Sequence, residues 1–409
     1  MKHWMWLFFI PLILCAACRD KDDDVEEPIP PTMHKVVVVY MMGENSLSGD
    51  APRDLFEIRQ GMKSIPEDCR LIVFYDNSDA SQRPQIIAFD GTGKEETIYE
   101  YDTDIVSTDS HAMLEVLRRI HKRFPAEHYG LVLWSHGSGW IPAPQSTIGI
   151  DNNRNTTGDT GTEMEIATLA GVLHSTGIHW DYILFDACFM QCIEVAYELR
   201  HATEWCIGSP TEIPAAGAPY TKLMEALFLD EGYAQRIVQD YYNFYEEYSK
   251  DWGVILSAIR SSELEALAEA TAKHIATRTD FPTTGVQVYC AYTSRTKWKP
   301  EYFDMGSTMH LWLADEEYAE WRKVMERAVP CHKEAPEWPT GYPSVLTPEI
   351  TDPDNVIAAS MYIPIEGRDQ LNTAFRQTAW CKALGWPTPY PAPAIVPLSE
   401  VTLIGNRQK

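Results

Sequence analysis

Short, continuous apolar runs constrain the fold of this chain more than any other feature of its sequence. Runs rich in Val, Ile, Leu and aromatic residues recur through the first half of the chain, at residues 35–41 (KVVVVYM), 70–75, 130–135 and 181–185. Strands without polar alternation are typical of parallel sheets that are buried on both faces. Amphipathic stretches separate these runs, at residues 109–123, 166–174 and 193–199. This alternation predicts an α/β fold with an open, mostly parallel sheet and helices on both faces.

The second half of the chain differs in composition. Helical spacing dominates residues 220–228, 233–248 and 262–276, and three strand-like runs occupy residues 253–259, 286–292 and 356–364. A chain of 409 residues is longer than a single core usually supports. We therefore expect a larger core over residues 34–260 and a smaller C-terminal lobe over residues 261–409.

The N-terminus is typical of an exported protein. Lys2 and His3 precede a short apolar run, and the small pair Ala16-Ala17 stands directly before Cys18. We interpret residues 1–17 as a signal peptide, because the apolar run is too short to span a membrane. The pair before Cys18 resembles a bacterial lipobox, which implies cleavage there and acylation of the Cys18 thiol. The alternative is an ordinary signal peptide with a chance cysteine.

Residues 18–33 follow as an acidic, proline-rich segment with no apolar periodicity, and we interpret them as an extended tether. The acidic stretch resembles a surface-export signal of lipoproteins, and a plain spacer is the alternative. The expected location is therefore a membrane-anchored bacterial lipoprotein at the outer membrane or cell surface. The membrane is then a partner only through the lipid on Cys18.

Charge and cysteine usage exclude several functions. The net charge of −25 would repel nucleic acid and anionic membrane surfaces, so neither is expected as a partner. Seven cysteines remain besides Cys15 and Cys18, an odd and thin set for a disulfide framework, and none forms a zinc pattern. No metal ligand or cofactor is expected from these patterns. Calcium is compatible with the acidity, but without EF-hand spacing its ligands stay unknown.

The segment SHGSGW, residues 135–140, directly follows a predicted buried strand. His136 therefore lies where the chain leaves the sheet, and Gly137 and Gly139 allow a sharp turn or a close approach to a ligand. A histidine at the carboxyl end of such a strand can serve catalysis. The alternative is a structural histidine that is hydrogen-bonded within a glycine turn.

The segment FDACFMQCIE, residues 185–194, follows another predicted strand. Cys188 would lie at the strand end and before a helix over residues 191–200, where a thiol is biased toward thiolate. The alternative is a small buried side chain, which is the common fate of cysteine. Cys192, one helical turn on, fits the core better.

Together, the two segments predict a catalytic pair. His136 can take the proton of the Cys188 thiol and return it to the leaving amine, while the N–H groups of Gly137 and Cys188 donate to the oxyanion. No GxSxG elbow, HExxH motif or phosphate-binding glycine loop follows a strand, which argues against serine hydrolases, metallopeptidases and nucleotide-binding enzymes.

This pattern resembles the clostripain family of cysteine peptidases, which is related to caspases and gingipains. The likeness rests on His136 with its Gly-Trp, on residues 186–194, on the opening VVVYMMGENSL at residues 37–47 and on residues 360–364. The resemblance implies a caspase-like sheet, Cys188 as nucleophile, His136 as its partner, and peptides or proteins as substrates. It therefore predicts an exported cysteine endopeptidase that uses a His136/Cys188 dyad. A catalytically silent lipoprotein that uses the same scaffold for binding is the alternative.

The same resemblance has implications for specificity and activation. Family members cut after Arg or Lys by means of two acids, and Asp186 matches one of them. The other position holds Ala216, and Glu212 is the candidate substitute. Self-cleavage in a loop after the histidine strand corresponds to residues 151–161, where Arg154 is the only basic residue. An uncut surface loop is the alternative, and calcium dependence also occurs in the family.

Overall fold

The structure is a computed structural model that describes residues 30–142, 148–154, 161–248, 253–289, 302–338 and 349–387. The proposed signal peptide, Cys18 and most of the tether lie outside these residues. Within them, no helix has both the length and the apolar character that crossing a bilayer requires.

Thirteen strands are found in the described part of the chain. They are β1 (Met33–Gly43), β2 (Cys69–Asn77), β3 (Gln85–Phe89), β4 (Glu95–Glu100), β5 (Ala126–Trp134), β6 (Ile148–Asp151), β7 (Thr162–Met164), β8 (Trp180–Asp186), β9 (Thr203–Gly208), β10 (Ile255–Arg260), β11 (Phe303–Asp304), β12 (Cys331–Glu334) and β13 (Ser360–Met361). All four runs that the sequence singled out in its first half are strands. Three of them extend by one or two residues at each end, and β5 begins four residues before the predicted run and ends one residue before its end.

Eleven α-helices accompany the strands over the same described residues. They are α1 (Ala51–Gly61), α2 (Ser110–Arg123), α3 (Ile166–Thr176), α4 (Ile193–Leu199), α5 (Tyr220–Leu227), α6 (Tyr233–Tyr248), α7 (Leu264–Ile275), α8 (Met305–Trp312), α9 (Asp315–Ala328), α10 (Asp369–Phe375) and α11 (Ala379–Leu384). Short 3-10 helices cover Ser46–Gly49, Met62–Ser64 and Ser261–Glu263. The six predicted helices therefore exist, most with ends within two residues of the prediction.

Nine strands form one sheet in the order β12-β10-β9-β8-β5-β1-β2-β3-β4. The five central strands, from β9 to β2, run parallel to one another. At each edge two strands are added in antiparallel fashion, β10 and β12 on one side and β3 and β4 on the other. The predicted open α/β sheet is confirmed, and its parallel part is its centre.

Both faces of the sheet are buried, which explains the continuous apolar runs. Along β1, Val38 and Tyr40 belong to one apolar core, and Val37 and Val39 belong to the other. Successive side chains of a strand point to opposite faces, so a strand between two cores is apolar at every position. Helices α1, α5 and α6 cover one face, and α2, α3, α4 and α7 cover the other.

The C-terminal part of the chain packs on this sheet. The strand β12 extends the sheet edge beyond β10, and Ser360 forms a bridge with Cys192. The predicted run at 356–364 forms a strand only at β13, which pairs with β11. Of the predicted run at 286–292, residues 286–289 are described, and there Val288 forms a single bridge. Residues 290–292 lie outside the described part. The boundary at residue 260 stays a prediction, and these contacts cross it.

A buried ion pair lies at the amino ends of two central strands, β1 and β8. Lys35 of β1 has no solvent exposure, and its Nζ lies 3.0 Å from Asp181 Oδ2 at the start of β8. The same ammonium donates to the Leu229 carbonyl at 2.7 Å and lies 4.8 Å from the centre of the Tyr233 ring. The buried charge is therefore neutralised and hydrogen-bonded.

Candidate active site

The register of β5 and β8 aligns the two predicted catalytic residues. Trp134, the last residue of β5, is paired with Asp186, the last residue of β8. Ser135 N donates to the Asp186 carbonyl at 3.3 Å, so the strands stay together to their ends. His136 and Cys188 each follow two residues after this pair. They therefore lie at matching positions on the carboxyl edge of the sheet, where ligands of α/β folds bind.

Close packing of the two turns explains the glycines of SHGSGW. A Cβ on Gly137 would lie 2.8 Å from the carbonyl oxygen of Cys188. A Cβ on Gly139 would lie 2.8 Å from the Phe189 oxygen, and Gly139 also has a φ of +67°. A larger residue at either position would force the histidine turn away from the cysteine turn. The glycines thus hold the two turns in contact.

The cysteine turn has an unusual backbone. Phe189, directly after Cys188, has a φ of +60°, a left-handed conformation that costs a residue with a Cβ. Its N–H donates to the Thr211 carbonyl at 2.9 Å, and its ring stacks on Tyr302 with centroids 4.6 Å apart. These contacts stabilise a sharp turn that directs Cys188 out of the sheet edge.

His136 has a partner that the sequence did not identify. Its Nε2 lies 2.9 Å from the hydroxyl oxygen of Ser46, in the 3-10 helix that follows β1. Asn45 caps that helix by accepting from Leu47 N, and its Nδ2 donates to the carbonyls of Met42 and Ile150. The Ser46 hydroxyl is thus held on a well-anchored turn. Ser46 belongs to the GENSL segment, which was noted in the sequence only as a likeness.

The Cys188 thiol lies against the segment that follows β9. Ile213 N donates to Cys188 Sγ at 3.4 Å, and the sulfur lies 4.0 Å from the Ile213 carbonyl oxygen. The pKa of the Cys188 thiol is raised to about 12, chiefly by burial and to a smaller extent by the negative charges of Glu212 and Asp186, while the hydrogen bond from the Ile213 N–H acts in the opposite direction. The thiol is therefore protonated at neutral pH in this form.

This result corrects the expected thiolate bias. The helix that was to lower the pKa starts at Ile193, not at residue 191, so Cys188 is five residues from its first turn. The left-handed Phe189 and the extended Cys192 occupy the interval. The charge of a helix terminus is felt only close to its first turn. Cys192 itself is buried, as the sequence predicted for a core residue.

Asp186, the predicted substrate acid, is buried beneath the site with 3% of its surface exposed. Its Oδ1 accepts from Ala218 N and its Oδ2 from the Tyr220 hydroxyl, each at 2.9 Å. Burial raises its pKa to about 6. Its carboxylate thus anchors the turn before α5, and its direct contact with substrate stays a prediction.

Glu212 and Ala216 lie on the same segment as Ile213. Glu212 is half-buried and close enough to Cys188 to raise the pKa of the thiol. Ala216 is in a turn closed by Gly217 N and the Pro214 carbonyl at 2.8 Å, and Arg53 donates to the Ala215 carbonyl at 2.7 Å. Of the two residues, only Glu212 brings a negative charge beside the thiol.

Arg154, the candidate cleavage position, is held by acidic residues. Its guanidinium lies 3.2 Å from Asp104 Oδ1 and 3.5 Å from Glu44 Oε1. The backbone N–H of Arg154 donates to Glu44 Oε2 at 2.6 Å. Arg154 and Asn153 both have left-handed φ values, 65° and 52°. The bond after Arg154 enters residues 155–160, which lie outside the described part.

Comparison with known proteins agrees with these motifs. The model of the clostripain family matches residues 39–320, which include both His136 and Cys188. No curated protein sequence matches the chain.

Solved structures of similar proteins cover most of the chain. A secreted C11 cysteine protease from Bacteroides thetaiotaomicron, in complex with an irreversible peptide inhibitor, has a TM-score of 0.75 and 31% identity over 86% of this chain and 99% of that one. An inactive zymogen C11 protease from Parabacteroides distasonis has a TM-score of 0.74 and 27% identity over 88% and 100% of the two chains. A second secreted C11 cysteine protease from B. thetaiotaomicron, iotapain, has a TM-score of 0.73 and 25% identity over 87% of this chain and 100% of that one. The chain therefore belongs to the clostripain family and is a cysteine endopeptidase with a caspase-like fold.

Proposed function

We propose that Cys188 is the nucleophile of this peptidase and that His136 is its general acid and base. The observation that carries the proposal is the pairing of Trp134 with Asp186 at the ends of β5 and β8. His136 and Cys188 each follow two residues later, so they lie beyond the carboxyl ends of adjacent strands. The contact between Gly137 and the Cys188 backbone supports it further, because it leaves little room between the two turns.

In the proposed reaction, His136 removes the proton of the thiol as Cys188 Sγ attacks the carbonyl carbon of the scissile bond. The oxyanion accepts hydrogen bonds from the N–H groups of Gly137 and Cys188. His136 then returns the proton to the leaving amine, and a thioester remains on Cys188. Water, deprotonated by His136, hydrolyses the thioester and regenerates the thiol. No metal or cofactor takes part in these steps.

We propose that the chain is made as a precursor, and two features of the described form support this. The thiol is protonated because of the raised pKa, and the Ile213 backbone lies against it. The similar chain from P. distasonis is an inactive zymogen, which supports a precursor in this family. We propose that cleavage after Arg154 frees the 151–161 loop and lets the segment around Ile213 move away from the thiol.

The proposed substrate is a peptide with Arg or Lys before the cut bond. Glu212 beside the thiol is the charged group that supports this choice, since Ala216 has no charge to offer. Asp186 contributes from below by anchoring the turn and by its negative charge. A basic side chain near Glu212 would also lower the pKa of the thiol by offsetting the negative charge.

A P1 library tests both the dyad and the specificity. The form that lacks residues 1–18 is incubated with fluorogenic peptides that carry Arg, Lys, Ala, Leu or Asp at P1, beside Cys188→Ala. We expect Arg or Lys to lead and the variant to lose at least about 10³-fold in kcat/KM with an unchanged melting temperature. Retained turnover in Cys188→Ala would refute the nucleophile, and a small or apolar leader would refute the basic pocket.

Self-cleavage is tested on storage of the purified chain. The wild type is expected to split between residues 154 and 155, and Arg154→Ala is expected to stay whole. Cys188→Ala is the control, because cleavage that persists in it comes from another protease. Splitting of Arg154→Ala at the same bond, seen by mass spectrometry, would contradict the assignment.

We also propose that the protein is a lipoprotein, acylated at Cys18 and displayed at the outer membrane or cell surface. The support is the sequence before Cys18 and the secretion of two similar proteases. Metabolic labelling with a fatty-acid analogue should mark the wild type, and Cys18→Ala should stay unlabelled. A labelled Cys18→Ala protein would place the lipid on another residue and contradict the assignment.

A further inference from the structure

One aromatic residue from the C-terminal part of the chain contacts both turns of the candidate active site. The ring of Tyr302 stacks on Phe189, which directly follows Cys188, with ring centroids 4.6 Å apart and an interplanar angle of 17°. The Tyr302 hydroxyl donates to the Ser138 carbonyl, two residues after His136, at 2.8 Å. Only 3% of Tyr302 is exposed, so water competes little for these contacts. A single side chain therefore joins the histidine turn to the cysteine turn.

The backbone of Tyr302 is fixed relative to the sheet edge. Its carbonyl accepts from Tyr289 N at 2.9 Å, and the next residue begins β11. The strand β11 pairs with β13, where Ser360 N donates to the Gln191 carbonyl at 3.0 Å. Gln191 lies three residues after Cys188, so the strand pair that holds Tyr302 is also bonded to the end of the cysteine turn. A side chain that is locked at its base can hold its neighbours in a defined geometry.

The two turns have little room between them, and their backbones are strained. A Cβ on Gly139, whose φ is +67°, would lie 2.8 Å from the Phe189 oxygen and 3.5 Å from Tyr302 Cε1. Phe189 itself has a φ of +60°, a conformation that persists only where surrounding contacts hold it. The Thr211 carbonyl holds its backbone N–H at 2.9 Å, and the Tyr302 ring holds its side chain.

We propose that Tyr302 is a positioning residue of the peptidase. It sets the separation of the two turns, and with it the geometry of the two proposed oxyanion donors, the N–H groups of Gly137 and Cys188. The inference rests on the catalytic roles proposed above. Gly137 directly precedes Ser138. Cys188 directly precedes Phe189, so each donor lies one residue from a contact of the tyrosine. A misplacement of about 1 Å in such a site can cost about 10²-fold in rate.

The same contact has a consequence for a cleaved chain. Cleavage after Arg154, as proposed above, would leave Ser138 on the first chain and Phe189 and Tyr302 on the second. The hydrogen bond from the Tyr302 hydroxyl would then join the two chains beside the catalytic pair, in addition to the pairing of β5 with β8. The C-terminal part of the chain is thus a component of the catalytic unit and not only a lobe packed against it.

Steady-state kinetics on three variants test the proposal, at a temperature well below every melting midpoint. Tyr302→Leu removes both contacts, and its kcat should fall about 10²-fold while KM stays nearly constant, because the substrate itself is not contacted. Tyr302→Phe keeps the stacked ring and should lose about tenfold in kcat, as for one hydrogen bond. Tyr182→Phe is the matched control, because that buried hydroxyl also donates to a backbone carbonyl at 2.8 Å, that of Leu227. The control should keep the wild-type kcat.

Hydrogen exchange measured by mass spectrometry separates position from activity. The three substitutions are placed in a chain that carries Cys188→Ala, so the measurement needs no peptidase chemistry. Tyr302→Leu should speed amide exchange in the peptides that cover residues 136–141 and 186–191, and Tyr182→Phe should leave both at the rate of the parent. If Tyr302→Leu fails to fold, Tyr302→Phe compared with Tyr182→Phe decides the question.

Several outcomes would overturn the assignment of Tyr302. They are a wild-type kcat in the folded Tyr302 variants, a raised KM with unchanged kcat, unchanged exchange in both peptides, or an equal loss of kcat in Tyr182→Phe and Tyr302→Phe. The last result would mean that any lost buried hydrogen bond slows the enzyme. Turnover that persists in Cys188→Ala would instead refute the proposed nucleophile, and no change at Tyr302 can produce that result.

Discussion

The two ends of the same central strands are built in opposite ways. At the amino end, Lys35 of β1 and Asp181 of β8 neutralise each other, and the Leu229 carbonyl and the Tyr233 ring satisfy the rest of the ammonium. At the carboxyl end, the residues that follow the same two strands include Glu44 and Cys188. There the carboxylate lacks sufficient partners and the thiol is protonated by burial.

The carboxyl end also has the strained backbone. Phe189, Asn153 and Arg154, three of the four non-glycine residues with positive φ in the described structure, lie there. Strain and unpaired charge cost stability, and they persist only where the rest of the fold compensates. The difference teaches that the amino ends of these strands supply stability, whereas the carboxyl ends, where the proposed catalytic residues lie, contain strained backbone and a buried carboxylate oxygen without a hydrogen-bond partner.

Removal of the amino-end ion pair should therefore cost stability and spare catalysis. We expect Lys35→Ala to lower the free energy of unfolding by about 3–5 kcal/mol, because it removes the ammonium from the buried Asp181 carboxylate and leaves His128 Nδ1, 3.2 Å from Oδ1, as its side-chain partner. Urea unfolding of the chain with Cys188→Ala measures the loss, and Lys63→Ala, at an exposed lysine, is the control. In the active chain, kcat per titrated active site should stay at the wild-type value. A loss below 1 kcal/mol, or a fall in kcat, would break the comparison.

The sequence predicted the sheet and the placement of His136 and Cys188 at its carboxyl ends because both depend on local patterns. Apolar runs buried on both faces define the strands, and His136 and Cys188 each lie two residues beyond the end of one of them. The contacts of Ser46 with His136 and of Ile213 with Cys188 were not predicted, because they join residues 90 and 25 positions apart and depend on how the loops pack. The stretch at residues 193–199 matches α4, whereas the start at residue 191 that was used for the thiolate argument was two residues too early, because no residue pattern predicts a left-handed Phe189.

The charge beside the thiol offers a sharper test of the carboxyl end. Glu212→Gln removes a negative neighbour, so the pKa of Cys188 should fall and the thiolate fraction at a fixed pH should rise. The extent of iodoacetamide labelling of the Cys188 peptide is measured by mass spectrometry across a range of pH. In Glu212→Gln, the midpoint of labelling should lie at a lower pH than in the parent. If Glu212 also binds the basic P1 side chain, kcat/KM for Arg and Lys peptides should fall about tenfold, as for a lost charged hydrogen bond.

Glu225→Gln, at an exposed position of α5, is the control for general charge effects. It should leave both the labelling profile and the P1 preference unchanged. An unshifted labelling profile in Glu212→Gln would mean that burial alone sets the pKa of the thiol. An unchanged P1 preference would place the basic pocket elsewhere.

The smallest expected effect concerns the hydroxyl of Ser46, which we assign as a positioning residue for His136. Ser46→Ala removes one hydrogen bond worth about 0.5–1.5 kcal/mol, so kcat should fall about two- to twelvefold while KM stays nearly constant. Ser46→Thr keeps the hydroxyl and should restore most of the rate. Ser48→Ala is the matched control, because that hydroxyl lies in the same 3-10 helix but donates to Asn77. If Ser48→Ala slows the reaction as much, or Ser46→Thr fails to restore it, the hydroxyl supports the turn and does not orient the imidazole.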